Sequence, residues 1–117
     1  MSFAALKKHA LTLAGATHDI KWGCDWVASV GGKMFLVGGT DPKTWKRCSF
    51  KVDADRFLEI TDLPGFAPAP YLARVKWVQL SDAKALPLAD LKALVERSHA
   101  LVLASLTKKL QKEILSS

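Results

Sequence analysis

The sequence predicts an α+β domain: one antiparallel β-sheet with the N- and C-terminal helices packed on one of its faces. Three observations predict it. Apolar residues recur at helical spacing near both ends of the chain. Between them the period falls towards two, and Gly31-Gly32 separates two apolar runs closely enough for an antiparallel hairpin. At 117 residues, 50% apolar and 24% charged, the chain can bury a core without disulfides or a structural metal, so residues 1–117 read as a single domain.

The elements follow in order. Ser2 suits the cap of a helix over residues 3–14, with Phe3, Leu6, Ala10 and Leu13 as its stripe and Gly15 as its stop. Ile20 to Trp22 reads as a short strand, and Trp26–Val30 with Met34–Val37 as the hairpin. Lys46 to Val52 is the next strand, with Cys48, Phe50 and Val52 on one face and Arg47, Ser49 and Lys51 on the other. Asp53 suits the N-cap of a short helix ending near Ile60 or Thr61. Prolines 64, 68 and 70 exclude helix and central strand, while Phe66 and Tyr71 suggest a loop pinned to the body. Arg74 to Leu80 reads as one strand: Arg74, Lys76, Val78 and Leu80 face one way, Val75, Trp77 and Gln79 the other. A long helix then runs from Leu88 to at least Lys109, with Leu94, Val95, Val102 and Leu106 among its most buried residues.

The net charge is +6 and it is segregated. Lys43, Lys46, Arg47 and Lys51 occur without an acid between Pro42 and Val52, and Arg74 and Lys76 are the only charges from Leu63 to Ser81. Asp53, Asp55, Glu59 and Asp62 gather between these stretches. Basic surfaces suit nucleic acid, anionic membranes or acidic partners. No apolar run approaches the ~20 residues of a bilayer span. Lys7, Lys8 and His9 interrupt any export signal, so the expected location is the cytoplasm, with no membrane partner and with Cys24 and Cys48 reduced.

Chemical motifs are sparse. Gly31-Gly32-Lys33 is not a phosphate-binding loop, because Met34 follows the lysine and Val27 stands where the first glycine belongs. His9, His18 and His99 have no cysteine or histidine partner at zinc-ligand spacing. His18-Asp19 with Cys24 would make a thiol nucleophile only if the fold joined them, and Asp53 and Asp55 suit a helix start better than acid–base work. No catalytic residue, cofactor or metal is expected.

A series of short motifs carries a family resemblance. Lys21-Trp22-Gly23, Gly32-Lys33-Met34-Phe35, Phe50-Lys51-Val52-Asp53, Pro64-Gly65, Pro68-Ala69-Pro70-Tyr71-Leu72 and Lys76-Trp77-Val78 occur in order, followed by Leu94-Val95, Ser98-His99, Leu101-Val102 and Lys108-Lys109. Over nearly the whole chain this resembles the MmcQ/YjbR family. The resemblance implies a frataxin/CyaY-like fold and a DNA-binding role through a "double wing" surface, with no catalytic residues. Two departures stand out: Ser98-His99 replaces a frequent Ser-Tyr, and Leu106-Thr107-Lys108-Lys109 replaces a Leu-Pro-Lys-Lys-like end. Without that proline the last helix is expected to run on unbroken. Frataxin-like iron handling is not expected, since hard cations want clustered carboxylates and fold does not carry function.

The expected function is therefore a non-enzymatic, monomeric DNA-binding module with weak sequence preference. Lys46, Arg47, Lys51, Arg74 and Lys76 would meet phosphates on a basic sheet face, and Trp77 would stack on bases if it points outward. If Trp77 points to the helices it is core. The alternative is a protein-interaction or small-ligand module using the open sheet face or the Pro64–Tyr71 loop.

Overall fold

The computed structural model describes residues 3–21, 25–39, 47–70, 72–82 and 84–116. Among them are six strands, β1 (Ala16–Lys21), β2 (Asp25–Val30), β3 (Lys33–Gly39), β4 (Cys48–Lys51), β5 (Phe66–Pro68) and β6 (Trp77–Leu80), and four helices, α1 (Phe3–Ala10), α2 (Phe57–Thr61), α3 (Leu88–Ala104) and α4 (Lys108–Leu115). The strands form one sheet in the order β1-β2-β3-β4-β6-β5, with every neighbouring pair antiparallel. Phe3, Leu6 and Ala10 of α1 and Leu91, Leu94, Val95 and Val102 of α3 share one core with Trp26, Phe35, Leu36, Phe50 and Val78. The two terminal stripes thus cover the same sheet face, the α+β arrangement that the sequence predicts.

The β2–β3 turn uses Gly31 and Gly32, both at positive φ (58° and 83°), which glycine adopts without steric cost. Beyond it the register shifts between Ala28 and Ser29, which gives β3 one extra residue. Such a bulge lets two consecutive side chains turn the same way. Phe35 and Leu36 accordingly are both fully buried in the helix-side core.

Four expectations are corrected. First, α1 stops at Ala10; Thr12 Oγ donates to the His9 carbonyl at 2.6 Å, a local bond that competes with the helix. Second, Asp53 makes no side-chain cap. Its carboxylate instead accepts from Arg97 of α3, and a 3₁₀ turn (Ala54–Arg56) precedes α2. Third, Arg74 to Lys76 are not strand. Ala73–Val75 form a 3₁₀ turn and Lys76 stands at φ 66°, so β6 begins at Trp77. The cause is the β5–β6 pairing: Ala69 N–H donates to the Trp77 carbonyl, and the residues between must reverse direction within a few bonds. Fourth, the last helix breaks after Ala104 even without proline. Thr107 caps α4 by accepting from Leu110 N–H, and Gln111 Nε2 donates to the carbonyls of Ala104 and Leu106 that the break releases. The break helps seat Leu106, which is buried, against Gly31.

Candidate nucleic-acid interface

Alternation along β4 sends Cys48 and Phe50 to the core and Ser49 and Lys51 to the sheet face away from the helices. The same alternation assigns Arg47, just before the strand and exposed, to that far face. Lys51 lies opposite Trp77, so Trp77 belongs to the far face too. It is nevertheless only 4% exposed. The tryptophan is neither a helix-side core residue nor a free stacking platform: it is buried on the outer side of the sheet, with Leu72 and Val75 lining the same crevice.

The six site residues expected from sequence therefore separate. Lys46 lies outside the described residues. Arg47 and Arg74 are exposed. Lys51 Nζ donates to the Val75 carbonyl at 3.1 Å, which ties it to the Arg74–Val75 turn. Lys76 leaves this group: its Nζ sits 5.1 Å from the ring centroid of Phe57, a residue packed on the helix-side core. Two cations join that the reading of the strands did not single out. Lys21 and Lys33 line the crevice with Lys51, and Val102 and Ser105 of α3 border it too, so it is not confined to the far face. Lys21 shares a face with Val27 through the β1–β2 register, a pattern that strand alternation alone could have exposed.

Few of the described cations are ion-paired, on the helices as on the sheet: Lys8, Lys92, Lys108, Lys109 and Lys112 have no carboxylate partner among the described residues either. Arg97–Asp53 (2.8 Å) and Arg56–Glu59 (3.6 Å) are the ion pairs of arginine or lysine among the described residues, and His9 Nε2 lies 3.3 Å from a Glu96 carboxylate oxygen; each involves a helix or the turn leading into α2. Arg97 hydrogen-bonds the Asp53 carboxyl and holds it below the usual aspartate range. Lys21, Lys33, Arg47 and Arg74 pair with no described carboxylate.

One arrangement was not anticipated. The β3–β4 ladder ends at Leu36 opposite Phe50; the next pair, Phe35 and Lys51, does not close. Ser98 of α3 occupies the gap. Its hydroxyl donates to the Phe35 carbonyl at 2.7 Å and accepts from Lys51 N–H at 2.9 Å, so both backbone groups are satisfied. Beside this parting lies an open crevice of about 520 Å³, with Met34, Lys51, Trp77 and Val102 among its lining. Next to Ser98, His99 is buried. Its Nε2–H donates to the Ala14 carbonyl at 2.7 Å, and its ring meets Phe35 edge-on. It fastens α3 to the end of the first helical segment.

Cys48 is a free thiol, and burial pushes its pKa up to about 12, so it is not a nucleophile at neutral pH. Cys24, the thiol considered with His18 and Asp19, lies outside the described residues. Among the described residues no group of three or more metal-ligating side chains is placed to hold a metal, and no helix is long and apolar enough to cross a membrane.

Comparison with known proteins agrees with this architecture. No curated protein matches the chain. A crystal structure of a Deinococcus radiodurans protein with domain DUF419 superposes with a TM-score of 0.83 at 24% identity, covering 97% of this chain and 87% of that one. A Pseudomonas syringae protein superposes with a TM-score of 0.69 at 16% identity, covering 87% of this chain and 99% of its own. At these identities the likeness is one of fold. The YjbR family model matches residues 11–101, from the end of the first helical segment into α3 and across the whole sheet, and the chain belongs to the YjbR family.

Proposed function

We propose that the protein is a non-enzymatic module that binds DNA through its far sheet face, with weak sequence preference. The observation that supports this reading is a group of cations on one side of the sheet: Arg47 and Lys51 by the β4 alternation, and the exposed Arg74 on the turn that Lys51 Nζ holds, none of them ion-paired among the described residues. Cations free of acidic partners can replace the counterions of a phosphate backbone at no cost in broken ion pairs. Arg47, Lys51 and Arg74 supply the contacts, with Lys21 of β1, on the same face as Val27, as a fourth. The buried Trp77 supplies no stacking, so single strands gain nothing from it.

The test is a salt-dependent fluorescence-anisotropy titration against duplex and single-stranded DNA. Four phosphate contacts predict a slope of log K against log salt of about −3.6 on duplex. Arg47→Ala and Arg74→Ala should each reduce that slope by about one and weaken all sequences alike. Lys76→Ala should leave it unchanged. Absence of binding to either form at low salt overturns the reading.

A further inference from the structure

We infer that the crevice where β3 and β4 part is a binding site for a small amphipathic organic anion, a flat apolar body carrying one carboxylate- or sulfonate-like group. This goes beyond the DNA reading; the two share Lys21 and Lys51, whereas Lys33 and the apolar walls belong to the crevice alone and Arg47 and Arg74 to the DNA reading alone.

The opening is built into the fold. The bulge turns Phe35 towards the core, and the Ser98 hydroxyl takes over the hydrogen bonds that the Phe35 carbonyl and the Lys51 N–H would have exchanged. The sheet is thus held apart at this point without orphaned groups at either of those positions. A parting that costs nothing in unsatisfied backbone can remain open as a site.

Its walls suit an apolar body. Met34, Leu72 and Trp77 line it with Val102, and Val75 beside them is 45% exposed, a large apolar side chain that the fold leaves uncovered. Its charge suits an anion. Lys21, Lys33 and Lys51 line it and no described carboxylate does. Lys51 Nζ is oriented by the Val75 carbonyl and keeps two protons for a ligand. The volume, about 520 Å³, lies within the range of small-molecule sites.

The probe is 8-anilinonaphthalene-1-sulfonate, titrated into the whole chain at low ionic strength and read by its fluorescence. The expected result is a blue-shifted, saturable signal of one site. Lys33→Met and Lys51→Met should each weaken it about three- to tenfold, keeping the side-chain stem and removing the charge. Ser105→Phe, which adds bulk at the rim, should weaken it at least about tenfold. N-phenyl-1-naphthylamine, nearly the same body without the sulfonate, should bind at least about tenfold more weakly. A cooperative melt near the wild-type temperature confirms that each variant is folded; should Ser105→Phe not fold, Val75→Asp on the exposed wall replaces it and should abolish anion binding. Duplex-DNA affinity should be unchanged in Ser105→Phe, so the two readings can fail separately. No saturation by about 1 mM probe, or an affinity indifferent to both Lys51→Met and the wall variant, overturns the inference.

Discussion

The two faces of this sheet are made from the same strands and are built differently. The helix-side face is a continuous apolar core in which Phe35, Leu36, Phe50 and Val78 are fully buried, flanked by acids and bases that pair with each other. The far face mixes burial and charge. Val27 and Trp77 are covered there, while Lys21, Arg47 and Lys51 share that face with Asp19. Stability is concentrated on the first face, and the second carries Lys21, Arg47 and Lys51 at its surface.

The sharpest way to break this comparison is to empty a helix-side position. Phe50→Ala should cost about 3–5 kcal/mol in urea unfolding, through lost burial and the cavity left against Phe66. A cost under about 1 kcal/mol would mean that this face is not the stabilising one. Next comes the hinge between the faces. Ser98→Ala removes the donor to Phe35 and the acceptor for Lys51 N–H together, and should cost about 1–3 kcal/mol. Amide exchange at Lys51 should speed up selectively, which a mere loss of packing would not produce.

A smaller effect distinguishes the paired charges. Arg97 holds the Asp53 carboxyl below its ordinary value, so the folded state takes up that proton less readily than the unfolded chain. The stability it contributes is complete above the unfolded aspartate value of about 3.9 and is lost as pH falls through the lowered folded value. The gap between wild type and Asp53→Asn should therefore be present at pH 7 and close in acid, as followed by urea midpoints across that range. The smallest effect belongs to the far face: Arg47→Ala and Arg74→Ala should each change stability by less than about 0.5 kcal/mol. A larger loss would make these arginines structural and remove the ground for reading them as a contact surface.

Much of the fold was legible in local pattern. The Gly31-Gly32 turn, the Cys48–Phe50–Val52 face and the buried quartet Leu94, Val95, Val102 and Leu106 all follow from short-range periodicity and turn chemistry, and all are present. The candidate site was legible only in part. Arg47 and Lys51 could be assigned a face because they sit in or beside a true strand. Arg74 and Lys76 could not, because the alternation rule was applied to residues that the β5–β6 connection bends into a 3₁₀ turn and a left-handed residue. One positive φ was enough to carry Lys76 away to Phe57.

By itself the sequence determined the element types, the pairing of two amphipathic helices with an antiparallel sheet, and the excess of cations in two stretches. These are properties of spacing and composition, which act over a few residues. Only the tertiary structure decided three things. It placed Trp77 in burial on the outer face, because β4 and β6 pair with Lys51 opposite it. It ended α3 early, because Thr107 and Gln111 satisfy the carbonyls and amides of the break while Leu106 reaches Gly31. And it set the Ser98 hydroxyl between Phe35 and Lys51, groups 63 and 47 residues away in the chain. A hydroxyl on a helical stripe carries no local sign of the backbone groups it will serve, since those partners exist only once the helix lies across the parted strands.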